Sequence, residues 1–134
     1  MLEVYAYSDN TEITSKVEKA VYYAISVLLP KTRALSVEVE IEPMGEWEHG
    51  YCHGVGGKYY EISVNSDLSE EDIIKTVLHE MVHVKQYHKG ELSLKKQEKV
   101  WRGAKWEGED YREFPWELEA YELEEELYLG FINQ

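Results

Sequence analysis

The segment His79-Glu80-Met81-Val82-His83 combines two imidazoles and a carboxylate at a spacing that a helix makes useful. Residues i and i+4 lie one turn apart on one face, so both rings can reach a single Zn2+ at about 2.0–2.1 Å. The Glu between them stands beside that metal, where it can take a proton from a metal-activated water and pass it to a leaving amine. A catalytic zinc needs a third protein ligand and keeps one position open. His88 does not fit the three-histidine form of the motif, which asks for Gly and His where this chain has Gln86 and Lys89. It reads as an exposed residue at a helix end, favoured there by the helix dipole.

The other donors are carboxylates near the C-terminus: Glu117, Glu119, Glu122, Glu124, Glu125 and Glu126. Most of them must form a solvated face. On a helical projection the apolar arc is Trp116, Ala120, Leu123, Leu127 and Phe131, and Glu117 and Glu124 intrude between it and Tyr121 and Tyr128. A carboxylate among apolar neighbours is costly unless it is paired or bound to metal. Glu117 is therefore the preferred third ligand, with Glu119 and Glu124 as alternatives.

Several elements must position these groups. Leu2 to Tyr7 reads as a strand, and apolar residues recur every three or four positions from Thr11 to Leu29, with Pro30 as the stop. Val37, Val39 and Ile41 alternate with Glu38, Glu40 and Glu42, which predicts a half-buried strand with one acidic face. The glycine-rich stretch 43–57 reads as a loop, and Tyr60, Ile62 and Val64 as a third strand ending near Asn65. Ser69 to Asp72 has capping-box form and opens the helix that carries the histidines, down to about His88. On that helix Ile74, Val77, Leu78, Met81 and Val84 form the apolar stripe; His79 and His83 lie off it, beside Asp72, Thr76 and Gln86. The mixed, Lys-rich segment 91–106 is expected to be partly helical. A last helix should run from Pro115 to Leu129, with Gly130 beyond it.

With 134 residues, 43% of them hydrophobic, the chain has material for one domain with a modest core. Its 27 acids, 23 of them Glu, against 14 bases give a formal charge of −13, which argues against a nucleic-acid partner. No stretch is apolar enough to cross a membrane, and Met1 to Tyr7 lacks the marks of a signal peptide, so a cytoplasmic location is expected. A single cysteine, Cys52, excludes a disulfide scaffold.

His79 and His83 followed by a Glu on a later helix resemble the gluzincin class of zinc metallopeptidases, whose third ligand stands in a helical E-x-x-[AS]-D pattern. Glu117-Leu118-Glu119-Ala120-Tyr121 fits that pattern through Ala120 and departs from it at Tyr121, where the class has a histidine-orienting Asp. The orienting carboxylate must then come from elsewhere. The runs Leu78 to Tyr87, Gly90-Glu91-Leu92, Trp101-Arg102-Gly103 and Pro115 to Ala120 are similar to minigluzincins and to small metallopeptidases inferred from bacteriophage genomes. The likeness spans roughly residues 50–128; the first helix and strands match the usual N-terminal lobe in order only.

The resemblance implies an α+β, zincin-like single domain over residues 1–134. A small mixed or antiparallel sheet would pack on helices, with the active-site helix beneath it. An upper lobe would cover about 1–89 and a short helical lower lobe about 90–134. It implies zinc on His79, His83 and Glu117, with Glu80 as the catalytic base acting on a peptide or protein substrate, and a host cell infected by phage as one setting. It also implies that the third strand lies along the rim of the cleft, where the backbone around Tyr60 and Ile62 could pair with a substrate strand. Tyr111, Tyr121 and His88 are the candidates for stabilising an oxyanion.

Two other readings compete with a peptidase. One is a zinc-binding regulatory or interaction module derived from a peptidase, with weak or no turnover. The other is a DNA-associated protease of the SprT-like type, drawn from seven Lys or Arg against two Glu in 85–105. That type is expected to use a third His, which this chain lacks in a suitable place. His49-x-x-Cys52-His53 has metal-like residue types but no fourth partner and reads as incidental; Cys52 capping the zinc is the sharper alternative. Trp47, Trp101, Trp106 and Trp116 read as packing.

Overall fold

A computed structural model describes residues 1–46, 48–54, 57–95, 98–105 and 114–134. The elements are β1 (Leu2–Tyr7), α1 (Thr11–Leu28), β2 (Leu35–Glu42), β3 (Gly50–His53), β4 (Tyr59–Asn65), α2 (Glu70–His88), β5 (Leu92–Lys95), β6 (Glu98–Trp101), β7 (Ala104–Lys105) and α3 (Pro115–Ile132). Four strands make one mixed sheet in the order β1-β2-β4-β3, in which the first three are parallel and β3 runs antiparallel at the edge. This is a small α+β domain with three helices among the described residues, and no helix is long and apolar enough to cross a membrane.

Alternation sets the faces of the sheet. Val37, Val39 and Ile41 of β2 align with Tyr60, Ile62 and Val64 of β4, and all six are buried in one core with residues of α1 and α2. Glu38 and Glu40 leave by the other face, where Tyr5, Tyr7, Tyr51 and Tyr59 are exposed. Asn10 caps α1 by accepting from the amides of Glu12 and Ile13, and Ser69 caps α2 by accepting from Asp72.

α2 is the centre of the domain. It packs on α1, the sheet, β5 and α3, so its polar side is covered as fully as its apolar stripe. From Ile73 to Val84 every residue except Lys75 is buried. The histidine side of the helix therefore faces protein, namely α3, rather than solvent.

The structure corrects four expectations. Residues 43–57 are not all loop, because Gly50 to His53 form β3 along the edge of β4. The pairing overrides the poor strand propensity of a glycine-rich segment. As a result β4 is an interior strand paired on both sides, with Tyr60 and Ile62 facing the core. Neither can offer a free backbone edge to a substrate; β3 holds that edge. Leu92–Lys95, Glu98–Trp101 and Ala104–Lys105 form a three-stranded antiparallel sheet in the segment that was expected to be partly helical. Arg102 and Gly103, both at positive φ, make its two-residue turn, as the twist of a hairpin demands. The last helix continues through Gly130 to Ile132; the glycine is there not as a stop but for room, since a side chain would collide with the Tyr23 hydroxyl of α1.

Gly50 has the same kind of role at the edge strand. A Cβ on it would lie 2.6 Å from the Ser63 carbonyl oxygen and 2.8 Å from Cγ2 of Thr76 on α2. Gly50→Ala is expected to cost about 1–3 kcal/mol through overpacking, read as a lower melting temperature. An unchanged melt would show that β3 does not sit this close to α2.

Candidate metal centre

The i, i+4 spacing places the His79 and His83 rings side by side on α2, with centroids 5.1 Å apart. α3 crosses them. Pro115 fixes the first turn of α3, which puts Glu117 in that turn, where the helix dipole favours a carboxylate. Glu117 is 3% exposed, yet its carboxylate lies 3.0 Å from His79 Nε2 and 3.2 Å from His83 Nε2. Three donors from two helices thus converge on one point.

Each ring is also held from behind. His79 Nδ1 lies 3.0 Å from the Glu124 carboxylate and His83 Nδ1 lies 2.8 Å from Gln86 Oε1. The Gln86 amide nitrogen donates to the Trp116 carbonyl at 2.9 Å and to Glu119 at 3.0 Å, which fixes its oxygen toward His83. Such partners set the tautomer and orientation of a ligating histidine. Gln86 follows His83 by one helical turn, on the face of the ring it supports; Glu124 follows Glu117 by two turns on α3, which carries it to the same meeting line with α2, behind His79.

The three carboxylates considered as third ligand have separate places. Glu117 alone meets both Nε2 atoms. Glu124 stands behind His79, supplying the orienting carboxylate that Tyr121 does not. Glu119 pairs with Lys85 at 2.9 Å, and Glu91 joins the same lysine at 2.8 Å. Arg102 reaches both Glu91 and Glu119 at 3.6 Å. The basic stretch 85–105 is in this way partly neutralised within the protein.

Glu80 points to the same centre, since its ligand atoms and those of His79 and His83 lie within 4.8 Å of one another. Unlike Glu117 it is not tied down: its Oε2 is buried and has no hydrogen-bond partner among the described residues. Burial raises its pKa, and the neighbouring His83 and His79 oppose that only in part. Two cavities of about 340 and 150 Å3 adjoin it. The larger is lined by His49, Thr76, His79, Tyr121 and Glu124; the smaller by Cys52, His83, Tyr87, Lys99, Trp116 and Glu117. A cavity of about 780 Å3 at the ends of β1 and β2 contains none of the histidines.

Of the oxyanion candidates, Tyr121 lies against His79 with ring centroids 4.6 Å apart, and His88 lies against Tyr60 and lines neither cavity beside Glu80. Tyr111 is outside the described residues. His53 contacts Tyr51 on the outer face of β3, whereas Cys52 lines the smaller cavity, so the His-x-x-Cys-His run does not form a cluster. Burial, followed by the Glu80 charge, pushes the Cys52 thiol far above its ordinary range.

Two histidine Nε2 atoms and a carboxylate, each oriented, fit a divalent metal with three protein ligands. Comparison with protein-family models, curated proteins and solved structures gives no match.

The charges in the centre give a pH dependence. Burial alone would lower the pKa of His79, but its hydrogen bonds to Glu117 and Glu124 outweigh this and raise it to about 9. Burial opposes ionisation of Glu117, yet the two histidines hold it well below the usual carboxylate range. With chelator present, the His79 contribution to stability is complete below its unfolded value of 6.5 and is lost as pH rises through about 9. The Glu117 contribution is complete above 4.5 and is lost as pH falls below it. The melting temperature of chelator-treated protein should therefore fall between pH 6.5 and 9; a flat profile would contradict this charge pattern.

Proposed function

We propose that the protein is a zinc-dependent metallopeptidase, with zinc held by His79, His83 and Glu117. The observation that carries this reading is the Glu117 carboxylate at 3.0 and 3.2 Å from the two Nε2 atoms, with both Nδ1 atoms already engaged. Zinc bound there supplies a Lewis acid that polarises a carbonyl and makes water acidic near neutral pH.

The chain's own residues supply the rest. Glu80, buried beside the centre with Oε2 unpartnered and its pKa raised, is the proton carrier: it accepts a proton from the attacking water and gives it to the departing amine. Glu124 and Gln86 keep the imidazoles turned toward Glu117. The free edge of β3, antiparallel to β4 and ending beside the centre, offers backbone groups to an extended peptide or protein substrate. The cavities on either side of Glu80 give room for side chains flanking the cleaved bond.

Three variants separate these roles. Glu117→Ala should lose zinc. Glu124→Gln should weaken zinc affinity by about 10–100-fold. Glu80→Gln should keep zinc and lose hydrolysis of denatured casein. Zinc content by atomic absorption and release of peptides check all three. Bound zinc with no cleavage by the unaltered protein would replace the peptidase reading with that of a zinc-stabilised interaction module.

A further inference from the structure

The smaller cavity beside Glu80 brings together charges of both signs. Its walls are Leu92, Trp116 and the Tyr87 ring, and on one side it meets Glu80, His83 and Glu117. Lys99 of β6 is the only Lys or Arg among the described residues lining either cavity next to Glu80. Its ammonium lies over the Trp116 ring, 5.4 Å from the centroid. Lys99 differs from several other exposed lysines of the chain in lining a cavity beside Glu80; like them, it has no carboxylate within 4.0 Å among the described residues. The Tyr87 hydroxyl, from one turn beyond His83, likewise has no hydrogen-bond partner among them and is half-buried at the same cavity.

An exposed ammonium and a half-buried hydroxyl, neither with an acceptor among the described residues, thus border a space of about 150 Å3, the room of roughly five waters. That is enough for a short acidic side chain. A cation held over an indole face is positioned without being neutralised. With the Glu117 carboxylate already engaged by the two histidines, an incoming carboxylate would find Lys99 and Tyr87 as its partners, whereas an incoming lysine would meet Lys99 as a like charge.

We infer that this cavity is a specificity pocket for an acidic substrate residue, with Lys99 and the Tyr87 hydroxyl receiving its carboxylate. For a peptide lying antiparallel to β3, the cavity at the Cys52 end receives the residue preceding the cleaved bond. The substrate class is then acidic peptides cut after Asp or Glu. This rests on the peptidase reading above, and its test has a readout that does not need turnover.

Blocked peptides differing only in a single Glu, Gln or Lys are titrated calorimetrically into zinc-loaded Glu80→Gln protein. The Glu peptide should bind about three- to tenfold more tightly than the Gln peptide, with the Lys peptide weakest and the preference shrinking at high salt. Lys99→Gln in that background should bring the Glu-to-Gln ratio near one, and Lys99→Arg should restore it. Equal affinities for Glu and Gln peptides, or no binding of any of them, overturn the inference. Cleavage assays with the unaltered protein keep the two readings apart. Cleavage indifferent to Glu overturns the pocket alone, whereas a Glu preference in binding with no cleavage by the zinc-loaded protein overturns the peptidase alone.

Discussion

The shared carboxylate of Glu117 is the constraint around which the domain is arranged. An ionised carboxyl that is 3% exposed is tolerable only because two imidazoles face it and the start of α3 favours its charge. That requirement fixes the rotation of α3 on α2. Once Glu117 faces the histidines, Glu124 falls behind His79 and Glu119 is carried to Lys85. Trp116, Ala120 and Leu127 are then left for burial. A helix with many similar glutamates thereby acquires a distinct task for each of the inner three.

The polar groups around the centre divide into satisfied and unsatisfied ones. Gln86 is fully buried and uses both ends of its amide, joining His83, the Trp116 carbonyl and Glu119 in one network. A network with every member paired rigidifies what it touches. Glu80 is the opposite case: the same helix buries it and leaves an oxygen without a partner. Local rules broken at one residue, with its neighbours satisfied, are what a site of chemistry looks like in physical terms.

Much of this was legible in the sequence, and what was not has identifiable causes. The three helices, the strands β1, β2 and β4, and the cap at Ser69 followed from periodicity and capping residues, because each signal spans enough positions to be read. The strands β3, β5, β6 and β7 did not, since two to four residues are too few to display a period of two. β3 is also built around Gly50, which is there for close approach to α2 and not for any strand preference. Reading β3 as loop made β4 look like an edge and drew Tyr60 and Ile62 toward the substrate. The place of Glu117 between the histidines was foreshadowed by a carboxylate set among apolar neighbours. The partners of Nδ1 were missed although a helical spacing of three or seven residues from a candidate ligand would have pointed to Gln86 and Glu124.

β5, β6 and β7 enter the chain between α2, which bears the two histidines, and α3, which bears Glu117. The mutual position of those helices is set by their own packing and by the core they share with the sheet. The small sheet therefore behaves as an interchangeable panel hung between two fixed posts. Sequence drift in it redraws one wall of the smaller cavity, through Leu92 and Lys99, while the donors stay where the helices put them. A lineage of such domains could diversify what it recognises by rewriting this one stretch of chain, without reopening the harder problem of burying a charge.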